Sequence, residues 1–353
     1  MLKKIYLNPF FLFWAYYFIG PFLTINEILE INSYESVFVE NDLNFKFIYH
    51  TIAYLTLLPF IIFISSKFHF PKYEWHSLKV SKFIYLFFSA LVIIFSIILL
   101  YYLYNNIPLI IGGDFKRAYA YIDFLESNRV ITIIILLLII IYLFLNKKFY
   151  NVLALTVVVF DFLMSRRNLM IFFLYPVIKN LKKFHLIYIF IFFTFFTALR
   201  HRENISFDLS KSYAPFFSES YMIFLSNVEY ENCLINNREI ISYFDFERLN
   251  QSCRTLSYGA GGFSSRFNYN LIFGILSVLI FSIITIPLLS VLSTFINKRL
   301  NLLFSTILFV GIFIIFRDSL WNGFLFISKY TSVLIIASII YGSLLKKSIN
   351  KIS

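Results

Sequence analysis

Arginine recurs at the ends of apolar runs in this sequence. Its planar guanidinium suits it to holding phosphate through paired hydrogen bonds. The arginines concerned fall in four separate sequence regions and are Arg166, Arg167, Arg200, Arg202, Arg254, Arg266 and Arg317. For any one of them, snorkelling or a salt bridge to Asp161, Glu203 or Asp318 is an equal alternative. As a set they predict a cationic pocket, because such a cleft concentrates anionic ligands.

Glycine supplies a second signal next to these arginines. The chain has only 10 Gly, and three of them, Gly259, Gly261 and Gly262, fall within four residues. Glycine allows a close approach of the backbone, and exposed N–H groups can bind an anion. The alternative is a flexible turn that leads into a membrane helix.

The composition indicates that these residues belong to a membrane protein. The chain is 59% hydrophobic and 14% charged, with a mean hydropathy of +0.77. We predict a single integral membrane domain over 1–353 with ten spans. The predicted spans are 7–23, 47–65, 83–104, 130–145, 149–163, 169–178, 184–199, 271–292, 302–316 and 324–345.

The charges sort by side of the membrane when these runs are threaded through it. One side carries 15 of the 19 lysines, and the other carries 11 of the 12 arginines and 18 of the 19 acidic residues. The lysine side is the cytoplasm by the positive-inside rule, so both termini are predicted to lie inside. The short sixth run contains Pro176, and it must cross if the lysines at 179–183 are to lie inside. The net charge of +12 indicates topology and anionic lipid rather than nucleic acid.

The outer segments position the arginines. Residues 105–129 are predicted to form a partly re-entrant or helical cap. Residues 200–270 form one long extracytoplasmic loop that is expected to lie on the membrane face. Both cysteines, Cys233 and Cys253, fall in this loop, where an oxidising compartment would permit a disulfide; two free thiols are the alternative.

Several kinds of chemistry lack a sequence signature. The five histidines form no Cys/His cluster, so no metal site is predicted. No P-loop or dinucleotide-binding turn is present, and no cofactor is expected. Asp161 is the one acid well inside an apolar run. It is either a catalytic or coupling group or a structural partner that neutralises Arg166 or another arginine near the helix end, and we favour the structural pairing.

A segment before the eighth span resembles the Wzy-type O-antigen polymerases. The segment reads YGAGGFSS over 258–265 and is followed by NYNLIFG over 268–274. In the family, a Gly-Gly-Phe-like turn precedes a helix that begins with an Asn-Phe-Gly-like step. Arg200 and Arg317 fit the family's pattern, and ten residues separate Arg248 from Gly259, as in loops of some members. Nearly the whole chain shares the outline of many spans and one long outer loop.

The resemblance implies an all-α polytopic bundle similar to membrane glycosyltransferases of the GT-C type. It also implies metal-independent glycosyl transfer on the periplasmic face of the bacterial inner membrane. An undecaprenyl-pyrophosphate-linked oligosaccharide would be both donor and acceptor, with a chain-length regulator as a further partner beside membrane lipid. The arginines would stabilise the pyrophosphate leaving group, and His201, Glu203 and Asp318 are the candidates for the general base.

Three other functions remain open at this point. O-antigen ligases share the outline and differ in their acceptor. A lipid-linked oligosaccharide flippase or transporter is less favoured, because transporters tend to carry charge at the bilayer midplane. A membrane acyltransferase usually carries Arg and His on its first helix, and the run 7–23 has neither.

Overall fold

Helices account for nearly all of the chain that the structure, a computed structural model, describes. The described residues are 8–25, 40–67, 80–111, 116–164, 169–179, 271–317 and 320–349. No strand occurs among them. The helices are α1 (Pro9–Ile25), α2 (Glu40–Lys67), α3 (Lys82–Asn105), α4 (Ile107–Ile111), α5 (Lys116–Ser127), α6 (Val130–Phe144), α7 (Lys147–Leu163), α8 (Ile171–Lys179), α9 (Leu271–Phe295), α10 (Asn301–Arg317) and α11 (Leu320–Ile349).

The all-α prediction is confirmed for these residues. Nine of the ten predicted apolar runs overlap a helix, and α8 continues through Pro176. The remaining run, 184–199, lies outside the described residues, as does the whole of the predicted loop 200–270.

Three helical segments in the described part of the chain are long and apolar enough to cross a membrane: Lys82–Asn105, Lys298–Phe316 and Asn322–Ser343. A fourth arises if α5 and α6, which meet at a bend of 60°, are counted as one broken span. Shorter apolar helices lie within α1, α2 and α9. The number of ten spans and the GT-C likeness stay predictions.

Side-chain caps set the start of several helices. The Ser81 hydroxyl accepts a hydrogen bond from the Ile84 amide at the start of α3 (3.3 Å). Asn146 accepts from the Lys148 amide at the start of α7 (3.0 Å). Both side chains satisfy an amide that has no partner within its own helix. Both also stand beside lysines of the predicted inner face.

The residue contacts divide the chain into two compact units. The first comprises residues 1–69, 178–290 and 309–326. Here α1 packs against α2, and the buried Asn8 side chain donates to the Ser65 carbonyl (3.1 Å) while accepting from the Phe10 amide (3.0 Å). Aromatic contacts join Phe10 to Phe309 and Tyr17 to Phe316, with ring centroids 6.0 and 5.7 Å apart.

The second unit comprises residues 70–177, 291–308 and 327–353. Its α6 is apolar on every side and largely buried, as expected for a core helix. α3 packs against α7 through one face. The opposite face of α3 exposes large apolar side chains, including Ile94, Ile97 and Tyr101, which are 52%, 57% and 65% exposed. Exposed apolar surface on this scale is unusual for a water-soluble monomer and suits contact with lipid.

The described parts of the segment predicted as an outer cap are largely helical, in α4 and α5. α5 buries Tyr121, Phe124 and Leu125 and exposes Asp123 and Glu126. The chain then turns into α6 at Arg129, which adopts a left-handed backbone conformation (φ 47°). How deep this segment lies in a membrane stays a prediction.

Candidate functional site

The residues predicted to form the site lie almost entirely outside the part of the chain that the structure describes. Arg317 ends α10, but only its backbone is described. The structure therefore neither brings the predicted set together nor separates it. The predicted site and disulfide residues outside the described ranges are Arg166, Arg167, Arg200, His201, Arg202, Glu203, Cys233, Cys253, Arg254, Gly259, Gly261, Gly262, Arg266 and Asp318.

Asp161 is the charged residue of the predicted outer region whose surroundings are described most fully. Its side chain is completely buried. One carboxylate oxygen accepts a hydrogen bond from the Tyr121 hydroxyl (2.7 Å). The other accepts from the backbone amides of Leu169 and Met170 (2.8 Å each). A buried carboxylate with three donors is well satisfied, which offsets part of its desolvation.

These contacts make Asp161 a cap for α8. Leu169 and Met170 form the turn that immediately precedes Ile171, the first residue of α8. Their amides are among those that a helix N-terminus leaves without partners, and the helix dipole favours a negative charge there. Asp161 thus has a structural role with backbone amides and a phenol as its partners, whereas its predicted pairing with Arg166 lies outside the described residues.

Aromatic rings enclose this hydrogen-bonded centre. The Tyr102 ring lies 4.2 Å from that of Phe124, and the Tyr121 ring lies 5.6 Å from that of Phe160, measured between centroids. Tyr102 also donates its hydroxyl to the Ala120 carbonyl (2.7 Å). The C-terminal end of α3, the cap helix α5 and the end of α7 are thereby tied together.

Asp161 and these rings fix the two ends of the α7–α8 connection. Arg166 and Arg167 belong to that connection, which runs between Met164 and Leu169. The Met164 amide bonds to the Phe160 carbonyl (3.0 Å), and Leu169 bonds to Asp161. A rigid support of this kind is what a binding residue in a short connection requires.

A second polar contact joins α6 and α11, and sequence reasoning did not identify it. The hydroxyls of Thr132 and Tyr330 lie 2.9 Å apart. The Lys329 ammonium lies 5.0 Å from the centroid of the Tyr330 ring. Lys329 is exposed, and within the described residues it has no ion pair. The sequence signal that could have identified this contact is Lys329, the single lysine inside the apolar run 324–345.

The single arginine of the predicted inner face has partners of its own. Arg299 donates to the Tyr341 hydroxyl, and its guanidinium carbon lies 5.5 Å from the centroid of that ring. The neighbouring Asn297 amide donates to the Ser338 hydroxyl (3.0 Å). These bonds fasten the connection between α9 and α10 to α11, so Arg299 has a structural role.

Comparisons of this chain with known protein families, with curated proteins and with solved structures find no match. Among the residues that the structure describes, no three His, Cys, Asp or Glu side chains are grouped closely enough to hold a metal ion. Metal independence stays a prediction.

Proposed function

We propose that this chain is an integral membrane glycosyltransferase that polymerises oligosaccharide repeat units carried on undecaprenyl pyrophosphate. The product would be O-antigen or capsular polysaccharide, made on the periplasmic face of the bacterial inner membrane. The observation that carries the proposal is the separation of arginine from lysine across the predicted membrane. Topology explains lysines inside, but it does not explain arginines collected at outer helix ends.

Placement in a membrane is supported by the surfaces of two helices. α3 exposes a continuous apolar face, and α11 exposes Ile336, Ile339 and Ile340, each more than half exposed. Both helices satisfy the length and composition of a membrane span. Lipid is the environment in which such faces cost no free energy.

The proposed reaction uses the arginines at the leaving group. An acceptor hydroxyl attacks the anomeric carbon of the donor sugar, and the bond from that carbon to the pyrophosphate oxygen breaks. The lipid pyrophosphate leaves with the electron pair. The hydroxyl proton passes to a base, for which His201, Glu203 and Asp318 are candidates. Arginines placed in advance would stabilise the developing charge by several kcal/mol.

The described scaffold supports one part of this site. Arg166 and Arg167 stand in a connection whose two ends are held by hydrogen bonds and buried side chains. A charge that binds a leaving group lowers the barrier only if it is held in place before the reaction. Asp161 would contribute by positioning, since it touches the scaffold through both of its oxygens.

A deletion strain tests the proposed activity, with lipopolysaccharide banding as the readout. Loss of a polymerase leaves one repeat unit on the lipid A core. Loss of a ligase or a flippase leaves no repeat unit on the core. If the deletion strain carries no repeat unit on the core, polymerisation is wrong and the chain is a ligase or a flippase.

Reporter fusions test the topology on which the arginine reasoning depends. A fusion near Asn236, in the long loop, should read periplasmic. A cytoplasmic signal there would invert the outer face and remove the basis of the proposal. Fusions at four lysines of the predicted inner segments should read cytoplasmic: Lys148, Lys182, Lys298 and Lys347.

A further inference from the structure

Lys329 is a cation on an exposed and largely apolar helix face. It lies seven residues after Asn322, where the candidate span within α11 begins, a distance of about 10 Å at the helical rise. Three and seven residues further on, at helical spacing, Ser332 and Ile336 are exposed as well. A charge within a membrane span is costly unless it reaches a polar group or the interface.

Helix geometry directs Lys329 toward the outer surface. Side chains tilt toward the N-terminus of their helix. α11 begins just after Asp318, at the predicted outer boundary, and runs to the lysines of the inner face. A snorkelling Lys329 would therefore extend outward along the apolar face.

The contact between α6 and α11 places a second cation nearby. Tyr330 is bonded to Thr132, the third residue of α6, so Lys329 stands close to the predicted outer end of α6. Arg129 directly precedes α6 and is exposed. Its backbone is left-handed, but its carbonyl accepts a hydrogen bond from the Ile133 amide (3.2 Å), which ties Arg129 to the first turn of α6, where Thr132 also lies.

We propose that Lys329 and Arg129 together bind the phosphate of an anionic lipid at the outer membrane surface. Exposed apolar side chains at the start of α6 and on the same face of α11, among them Ile133 and Ile336, favour a ligand with acyl chains over a soluble anion. The buried Tyr330 ring holds the ammonium by a cation–π contact, and the ammonium keeps donors for a phosphate. This inference rests on the proposed membrane orientation and not on the polymerase chemistry.

The test measures lipid binding by the full chain in phosphatidylcholine nanodiscs, by native mass spectrometry during titration with phosphatidylglycerol. Lys329→Met should raise the Kd for phosphatidylglycerol about tenfold, equivalent to about 1.4 kcal/mol. Lys329→Arg keeps the charge, so its Kd should stay within about threefold of that of the unchanged chain. Arg129→Gln should weaken binding as well. The matched control is Lys148→Met, which removes an exposed lysine from the predicted inner face and should change nothing at this site.

Two further arms identify the source of the phosphate. If undecaprenyl pyrophosphate displaces phosphatidylglycerol, the site belongs to the lipid carrier. If it does not, the site belongs to a resident phospholipid. Both results support a lipid phosphate site. Inorganic pyrophosphate that competes as strongly as the lipids would overturn it. Equal binding by Lys329→Met and the unchanged chain would also overturn it. Banding in cells reports on polymerisation separately, so the two proposals can fail independently.

Discussion

Replacement of Asp161 by alanine should be among the most damaging single changes in the second unit. The substitution removes the acceptor of three hydrogen bonds and leaves the Tyr121 hydroxyl and two backbone amides buried without it. A buried donor left unsatisfied costs at least about 1 kcal/mol, so we expect a loss of about 3 kcal/mol in the free energy of unfolding. The turn before α8 loses its cap in the same step.

Asparagine at position 161 should be far milder. Its oxygen can take the place that accepts both backbone amides, and its amide group can donate to Tyr121, whose hydroxyl can turn to accept. We expect a loss of about 1 kcal/mol for Asp161→Asn, and a similar loss for Tyr121→Phe, since each disturbs one hydrogen bond.

The assay is thermal unfolding of the purified full chain in detergent, followed by intrinsic fluorescence. The expected order of unfolding temperatures places the unchanged chain highest, Asp161→Asn and Tyr121→Phe next, and Asp161→Ala lowest. The double variant of Asp161→Asn and Tyr121→Phe should lose less than the sum of the single variants, because the two side chains share a bond. Equal unfolding temperatures for Asp161→Ala and the unchanged chain would refute the capping role.

Other predictions follow from the helix contacts and from the proposed site. Gly323→Ala should lower the free energy of unfolding by about 1–3 kcal/mol through overpacking, because a Cβ there would lie 2.7 Å from the Gly311 carbonyl oxygen. Gly342→Ala is the control on the same helix: a Cβ there would have nothing within 4 Å, so the unfolding temperature should not change. Arg200→Ala should abolish long polysaccharide chains at normal protein level, and Arg200→Lys should restore them only in part; full activity of the alanine variant would exclude Arg200 from the pocket. Gly261→Val should express normally and yet give short or no chains, since a β-branched residue cannot readily take a positive φ; wild-type chain length would reduce the glycine turn to a hinge.

Most helices of the described residues were predictable because their apolar runs are long and carry few charges. The match of 83–104 to α3 (Lys82–Asn105) follows from such a run, bounded by a Ser cap and by Asn. Placement of one helix against another was not predictable. α3 and α7 are both apolar in sequence, and only the packed structure separates the face of α3 that contacts α7 from the face that stays exposed.

The polar contacts between helices were the least predictable feature of the structure. Asp161 stood out as an acid within an apolar run, but nothing marked Tyr121 among 25 Tyr as its partner. The bond depends on α5 folding back onto α7, which no local pattern encodes. Lys329 was visible as a charge within a span, yet its relation to Thr132, 197 residues earlier, required the tertiary structure.

Reconstitution of the purified chain with an undecaprenyl-pyrophosphate-linked repeat unit tests the proposed activity most directly. Gel separation of the products should show a ladder of increasing chain length, formed with no nucleotide sugar added and unaffected by a metal chelator. The ladder should be absent when Arg200 or Arg317 is replaced by alanine. Recovery of the lipid-linked unit unchanged after incubation with the correctly folded chain would contradict polymerisation.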